Sequence, residues 1–273
     1  MHVDVNELRA FYARPLGGVV RRLLGHRIRA RWRSVAGETV VGLGYATPYL
    51  GAYRSEAAAL GAFMPASQGA LVWPSAEPAK SVLVDEEALP LLDNSVDKML
   101  VVHCLEGAAR ARPLLREVWR VLAPQGRVLF VVPNRRSVWA RTETTPLGYG
   151  QPYSRSQLDR LLVEAMFTPF DWGWALHVPP IERAVVMRSA IAFERIGSRI
   201  WPGIGGVMLV EARKELIAPI GRGARLRVPG GLVIAPGTVG TVRADGRQSF
   251  AALEDEDCLL PEQVLQPDRA VDR

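Results

Sequence analysis

The 273 residues are 48% hydrophobic and 23% charged with a formal charge of +6, a balance that excludes wholesale disorder. Two cysteines, Cys104 and Cys258, exclude a disulfide scaffold and a multi-cysteine zinc site, and His2, His26, His103 and His177 show no metal-ligand spacing. No apolar run approaches the ~20 residues of a membrane helix.

The first residues, Met1 to Glu7, lack a basic stretch and an apolar one behind it, so the chain reads as soluble and cytoplasmic, without a secretory leader. The positive charge is arginine charge, since Lys80, Lys98 and Lys214 are the only lysines. An arginine-rich surface accounts for it, with a weaker reading as a preference for anionic partners.

Leu8, Phe11, Tyr12, Leu16, Val19, Val20, Leu23 and Leu24 recur at helical intervals, and arginines fill the positions between them up to Trp32. Residues 1–34 are therefore expected to form a basic amphipathic cap covering one edge of a sheet. The run Thr39 to Gly44 reads as a buried strand ending in a tight turn, followed by a helix from Tyr49 to Leu60. Further strands are expected at Leu60 to Met64, Ser81 to Val84, Lys98 to Val102 and Arg127 to Val132. A helix from Arg110 to Leu122 precedes the last of these. Alternation of strand and helix predicts an α/β fold with a mostly parallel sheet covered on both faces.

Residues 134–205 read as cap or lid insertions. Ser154 to Gln157 is a capping box opening a helix to about Ala165, a second helix is expected from Ile181 to Ile200, and Gly206 to Glu211 is a last strand. Residues 218–273, rich in glycine and proline and ending in a nearly neutral mixture of charges, read as a weakly structured tail.

In open parallel sheets ligands bind beyond the carboxyl ends of the strands, which singles out Gly42, Gly44, Met64, Asp85 and His103. A dinucleotide reading of Gly42 to Thr47 fails, because the sixth position is threonine and Met64 stands where a ribose-binding acid is needed. Three other stretches do match in order and spacing. They are Val40-Val41-Gly42-Leu43-Gly44-Tyr45-Ala46, then Val84-Asp85-Glu86 with Leu89-Pro90 and Asp93 to Leu100, and finally Leu115 to Arg127.

With these motifs the chain, over roughly residues 35–215, resembles the class I S-adenosylmethionine-dependent methyltransferases of the type 11-like branch. The resemblance implies a Rossmann-like fold with a seven-stranded sheet and an antiparallel last strand. It also implies S-adenosylmethionine as cofactor, held by Gly42, Gly44, Ala46, Met64, Asp85 and Glu86. The family's usual acid before the first loop glycine is Gly42 here, its later loop glycines are Ala46 and Pro48, and its ribose acid is Met64. A thioether cannot replace the charged hydrogen bonds of a carboxylate, worth about 1.5–3 kcal/mol.

His103 is the candidate base, with a partly buried cleft-wall histidine as the equal alternative. Glu106 reads as an acid beside it or as a solvated glutamate. Trp139, Tyr149, Tyr153, Trp172, Trp174 and His177 lie in the segments that would roof a substrate pocket, or pack the cap onto the sheet. The expected function is methyl transfer to a small-molecule acceptor. The alternative is a catalytically inactive relative kept as a binding or scaffolding partner of another protein. Nucleic-acid binding through Arg21 to Arg33 ranks last, for want of interleaved aromatics.

Overall fold

The structure, a computed structural model, describes residues 2–76 and 78–215. A seven-stranded sheet runs through it in the order β3-β2-β1-β4-β5-β7-β6. The strands are β1 (Thr39–Gly44), β2 (Ala59–Pro65), β3 (Ser81–Val84), β4 (Val96–Val102), β5 (Leu122–Pro133), β6 (Phe167–Ala175) and β7 (Val207–Lys214). The first five pair in parallel, and β7 lies antiparallel between β5 and β6. Pro169 sits on β6, an edge strand, where a missing N–H costs no central ladder bond.

Both faces are buried, and alternate residues divide between them as a strand's period of two requires. Val40, Leu100, Val102, Leu129, Val131 and Leu209 point to one face, where α1 (Val5–Ala13) and α2 (Pro15–Arg31) cover them. Val41, Leu43, Met99, Val101, Phe130 and Val210 point to the other, under α4 (Ala111–Val121) and α5 (Arg155–Glu164). The N-terminal helices thus cover a sheet face and not the expected edge. The reason is the chain between β1 and β2, which supplies only α3 (Thr47–Leu50) and a short 3-10 turn, Gly51–Tyr53, leaving that face to be filled from elsewhere.

The helix expected from Tyr49 to Leu60 is correspondingly short. One turn buries Tyr49 and Leu50 and the next buries Tyr53 against Trp32. The backbone then turns at Tyr53, and Ala58 already donates to Glu38 to open β2. The helix expected from Ile181 to Ile200 is two helices, α6 (Ala184–Arg188) and α7 (Ala190–Ile200), parted at Ser189. Pro179 and Pro180 hold back its start. Ser154 and Gln157 form the capping box of α5 reciprocally, as the spacing predicts. No described helix is long and apolar enough to cross a membrane. The tail assigned to residues 218–273 lies outside the described residues.

Candidate functional site

Gly44 ends β1 with a positive φ of 81°, and a Cβ there would lie 2.3 Å from the Val102 carbonyl oxygen, so only glycine fits. Gly42 is required for a different reason. A Cβ on it would come within 2.6 Å of Leu50 Cδ1 and 2.7 Å of Ala46 Cβ, which makes it the seat of α3 against β1. Ala46 is fully buried in the same contact.

At the end of β4, His103 is buried and adopts a positive φ of 50°. Its Nδ1 lies 3.4 Å from Glu106 Oε1, and its Nε2 is 2.9 Å from the Tyr12 hydroxyl. Glu106 is buried rather than solvated, and neither carboxylate oxygen has a hydrogen-bond partner. The tight turn from Cys104 tucks it under the segment whose Gln151 N–H donates to the Glu106 carbonyl oxygen. Tyr12 also meets Tyr49, hydroxyl to hydroxyl at 3.0 Å. Burial, then the neighbouring Tyr49, push the Tyr12 phenol well above its ordinary pKa, so it stays neutral. Burial likewise raises the Cys104 thiol, which is therefore no nucleophile.

The N-terminal segment is stitched across these strand ends. Val5 donates to the Gln68 carbonyl oxygen at 2.8 Å, the Gln68 amide donates to the His103 carbonyl oxygen at 2.7 Å, and His2 Nε2 lies 3.0 Å from Glu86. The Tyr12 ring stands 5.4 Å from Tyr45 and 5.8 Å from His103. What remains open beside His2, Val3, His103, Glu106 and Tyr149 is about 10 Å³, barely enough to hold one water.

S-adenosylmethionine does not fit these residues as they stand. The space over the β1 turn is filled by Tyr12 and Tyr45. Met64 is fully buried, with its Sδ accepting from the Leu71 N–H at 3.3 Å, so the end of β2 offers no carboxylate and no opening. Asp85 is exposed, and its carboxylate closes its own turn by accepting from the Glu87 N–H at 2.9 Å. Among the described residues no group of three or more His, Cys, Asp or Glu side chains gathers as a metal site.

The aromatic residues of the insertions do not converge on one cavity. Trp139 is buried on the α2 side of the sheet, donating to the Val178 carbonyl oxygen at 2.8 Å. Trp172 and Trp174 lie on the opposite side beneath the Arg155 guanidinium. Tyr153 is buried on that side, near the Leu105 carbonyl oxygen. His177 pairs with Glu194, and only Tyr149, half exposed, borders the His103 cleft. Tyr12, Gln68 and His2 were not legible as site residues. Tyr12 belongs to a visible apolar periodicity, but periodicity does not say which surface a helix meets.

Residues 38–130 match the family model described as a methyltransferase domain. No curated protein matches the sequence. Among solved structures, the complex of the Trm112 methyltransferase activator with its methyltransferase partner from Haloferax volcanii aligns at TM-score 0.58 and 19% identity, over 78% of this chain and 98% of that one. An S-adenosylmethionine-dependent methyltransferase from Thermotoga maritima aligns at 0.53 and 19%, over 77% and 96%. The [4+2]-cyclase SpnF aligns at 0.52 and 18%, over 70% and 80%. At these identities the likeness is one of fold, and it agrees with the sheet order and the antiparallel β7. Residues 38–130 thus carry a methyltransferase-domain match within a sheet of the same order as those methyltransferase structures.

Proposed function

We propose that the chain is an S-adenosylmethionine-dependent methyltransferase in a self-closed state, in which His103 is the base that takes a proton from a small-molecule acceptor. The observation that carries this reading is the row Tyr12–His103–Glu106. The Glu106 carboxylate lies 3.4 Å behind Nδ1, on the side of the ring away from Nε2, which is left to meet an acceptor. In front of Nε2, at 2.9 Å, stands a neutral hydroxyl. The Tyr12 hydroxyl occupies the place of an acceptor O–H or N–H, and burial prevents it from giving up its proton. Cofactor and acceptor then enter only when α1 withdraws, which breaks the Val5–Gln68, Tyr12–His103 and His2–Glu86 contacts together.

A second reading, a cofactor-free binding or scaffolding domain, is favoured by Met64, because its buried thioether persists whether or not α1 moves. Calorimetric titration with S-adenosylhomocysteine separates the two. The double variant His2→Ala/Tyr12→Ala is expected to bind at least about tenfold more tightly than the parent chain, one factor of ten per 1.4 kcal/mol of closure removed. If neither folded protein gives heat at millimolar ligand, the methyltransferase reading fails and the binding domain stands.

A further inference from the structure

Helix α7 is mounted with its polar side inward. Its buried positions are Ala190 and Glu194. Glu194 accepts from the His177 backbone N–H at 2.9 Å and pairs with Arg27 of α2 at 3.3 Å. Gly197 follows on the same side, where a Cβ would lie 2.4 Å from His177 Cβ, so the helix approaches as closely as a glycine allows. These contacts fix the rotation of the helix about its axis. They leave Phe193, Ile196 and Ile200, spaced as one stripe of a helix, pointing to solvent at 41%, 57% and 56% exposure. Trp201, the residue that follows the helix, is 63% exposed.

An amphipathic helix ordinarily buries such a stripe in its own core. Positive charge accompanies the stripe: Arg199 lies one turn from Ile196, and Arg183, Arg188 and Arg195 are also exposed, against Glu182 alone, since Glu194 is turned inward. Large apolar side chains projecting from a basic surface, with a tryptophan at the end of the row, match the requirements of an anionic lipid interface. Isoleucine and phenylalanine enter the acyl boundary, tryptophan sits at headgroup level, and arginines meet the phosphates.

We infer that the outer face of α7, from Phe193 to Trp201, docks this protein on an anionic membrane surface. The inference stands apart from the methyltransferase reading, because it involves neither the His103 cleft nor a cofactor.

The test is co-sedimentation of the full chain with vesicles of phosphatidylcholine, with and without phosphatidylglycerol. The parent chain is expected to pellet with the phosphatidylglycerol vesicles and to be released by salt. The variant Ile196→Asp/Ile200→Asp is expected to partition at least about tenfold less, because it places two charges where apolar side chains would enter the acyl boundary. Its melting temperature should be unchanged, since both side chains face outward. Arg195→Gln/Arg199→Gln is expected to retain the fold and lose the preference for anionic lipid. The inference is overturned if the folded parent chain ignores phosphatidylglycerol, or if the aspartate pair binds as well as the parent. It is equally overturned by a concentration-dependent dimer that the pair abolishes while vesicles capture nothing, which would assign the stripe to a second copy of the chain.

Discussion

The Tyr12 hydroxyl lies 2.9 Å from His103 Nε2 and 3.0 Å from the Tyr49 hydroxyl, joining the first helix to the end of β4 and to α3 through one side chain. Tyr12→Phe keeps the ring packed and removes both hydrogen bonds. Each is worth about 0.5–1.5 kcal/mol net, so the variant is expected to lose about 1–3 kcal/mol in urea unfolding. Amide exchange over Val5–Ala13 should accelerate more than over β4 if the loss is local to α1.

Glu194 gives the fold an acid-sensitive contact. Burial alone would raise its carboxyl, but the hydrogen bonds from His177 and the charge of Arg27 outweigh it and hold the group below its ordinary value of 4.5. A carboxyl depressed in the folded state stabilises fully above its unfolded pKa and loses that contribution as pH falls through the lower, folded value. The parent chain is therefore expected to lose stability over that window. Glu194→Gln should flatten the acid limb of a plot of urea midpoint against pH, and an unchanged limb would remove Glu194 from the account.

Two glycines in helices should respond oppositely to alanine. Gly197→Ala drives a methyl to 2.4 Å from His177 Cβ and is expected to cost about 1–3 kcal/mol as an overpacked contact. Gly18→Ala, in α2 with nothing within 4 Å, is expected to stabilise by about 0.5–1 kcal/mol through helix propensity. Thermal melts of the two variants check the sign of each.

Lys214, at the end of β7, is buried and donates to Asn94 Oδ1 at 2.6 Å and to the Leu122 carbonyl oxygen at 2.8 Å, with its ammonium 4.0 Å above the Trp119 ring. Burial lowers its pKa. Lys214→Met fills similar space and leaves both acceptors unpaired, at an expected cost of about 1–3 kcal/mol in denaturant unfolding.

Six strands were readable because they are β-branched or apolar runs, while β6 (Phe167–Ala175), interrupted by Pro169, Asp171 and Gly173, was not. Ser81–Val84 and Thr39–Gly44 have the bounds their residues suggest. The capping box at Ser154 was readable because its chemistry is entirely local. What escaped depends on distant partners. An apolar face at Leu8, Phe11 and Tyr12 announces burial, but only the missing helix after β1 decides that it closes the strand ends. Glu106 looked solvated because nothing near it in sequence reveals the cover supplied by residues around Gln151. The rotation of α7 was hidden for a related reason, since its apolar stripe suggests an inward face and the contact between Glu194 and His177 overrules it.

Trp32 Nε1 donates to Glu211 Oε1 at 3.1 Å across 179 positions of sequence, and α2 shares its core with Val207 and Leu209. During synthesis the opening helices leave the ribosome long before β7 exists to receive them. Their apolar flank must wait, exposed or sheltered by chaperones, until nearly the whole domain has emerged. Translation that stalls ahead of residue 207 would leave that flank without its partner strand, so this face is the last part of the core to close.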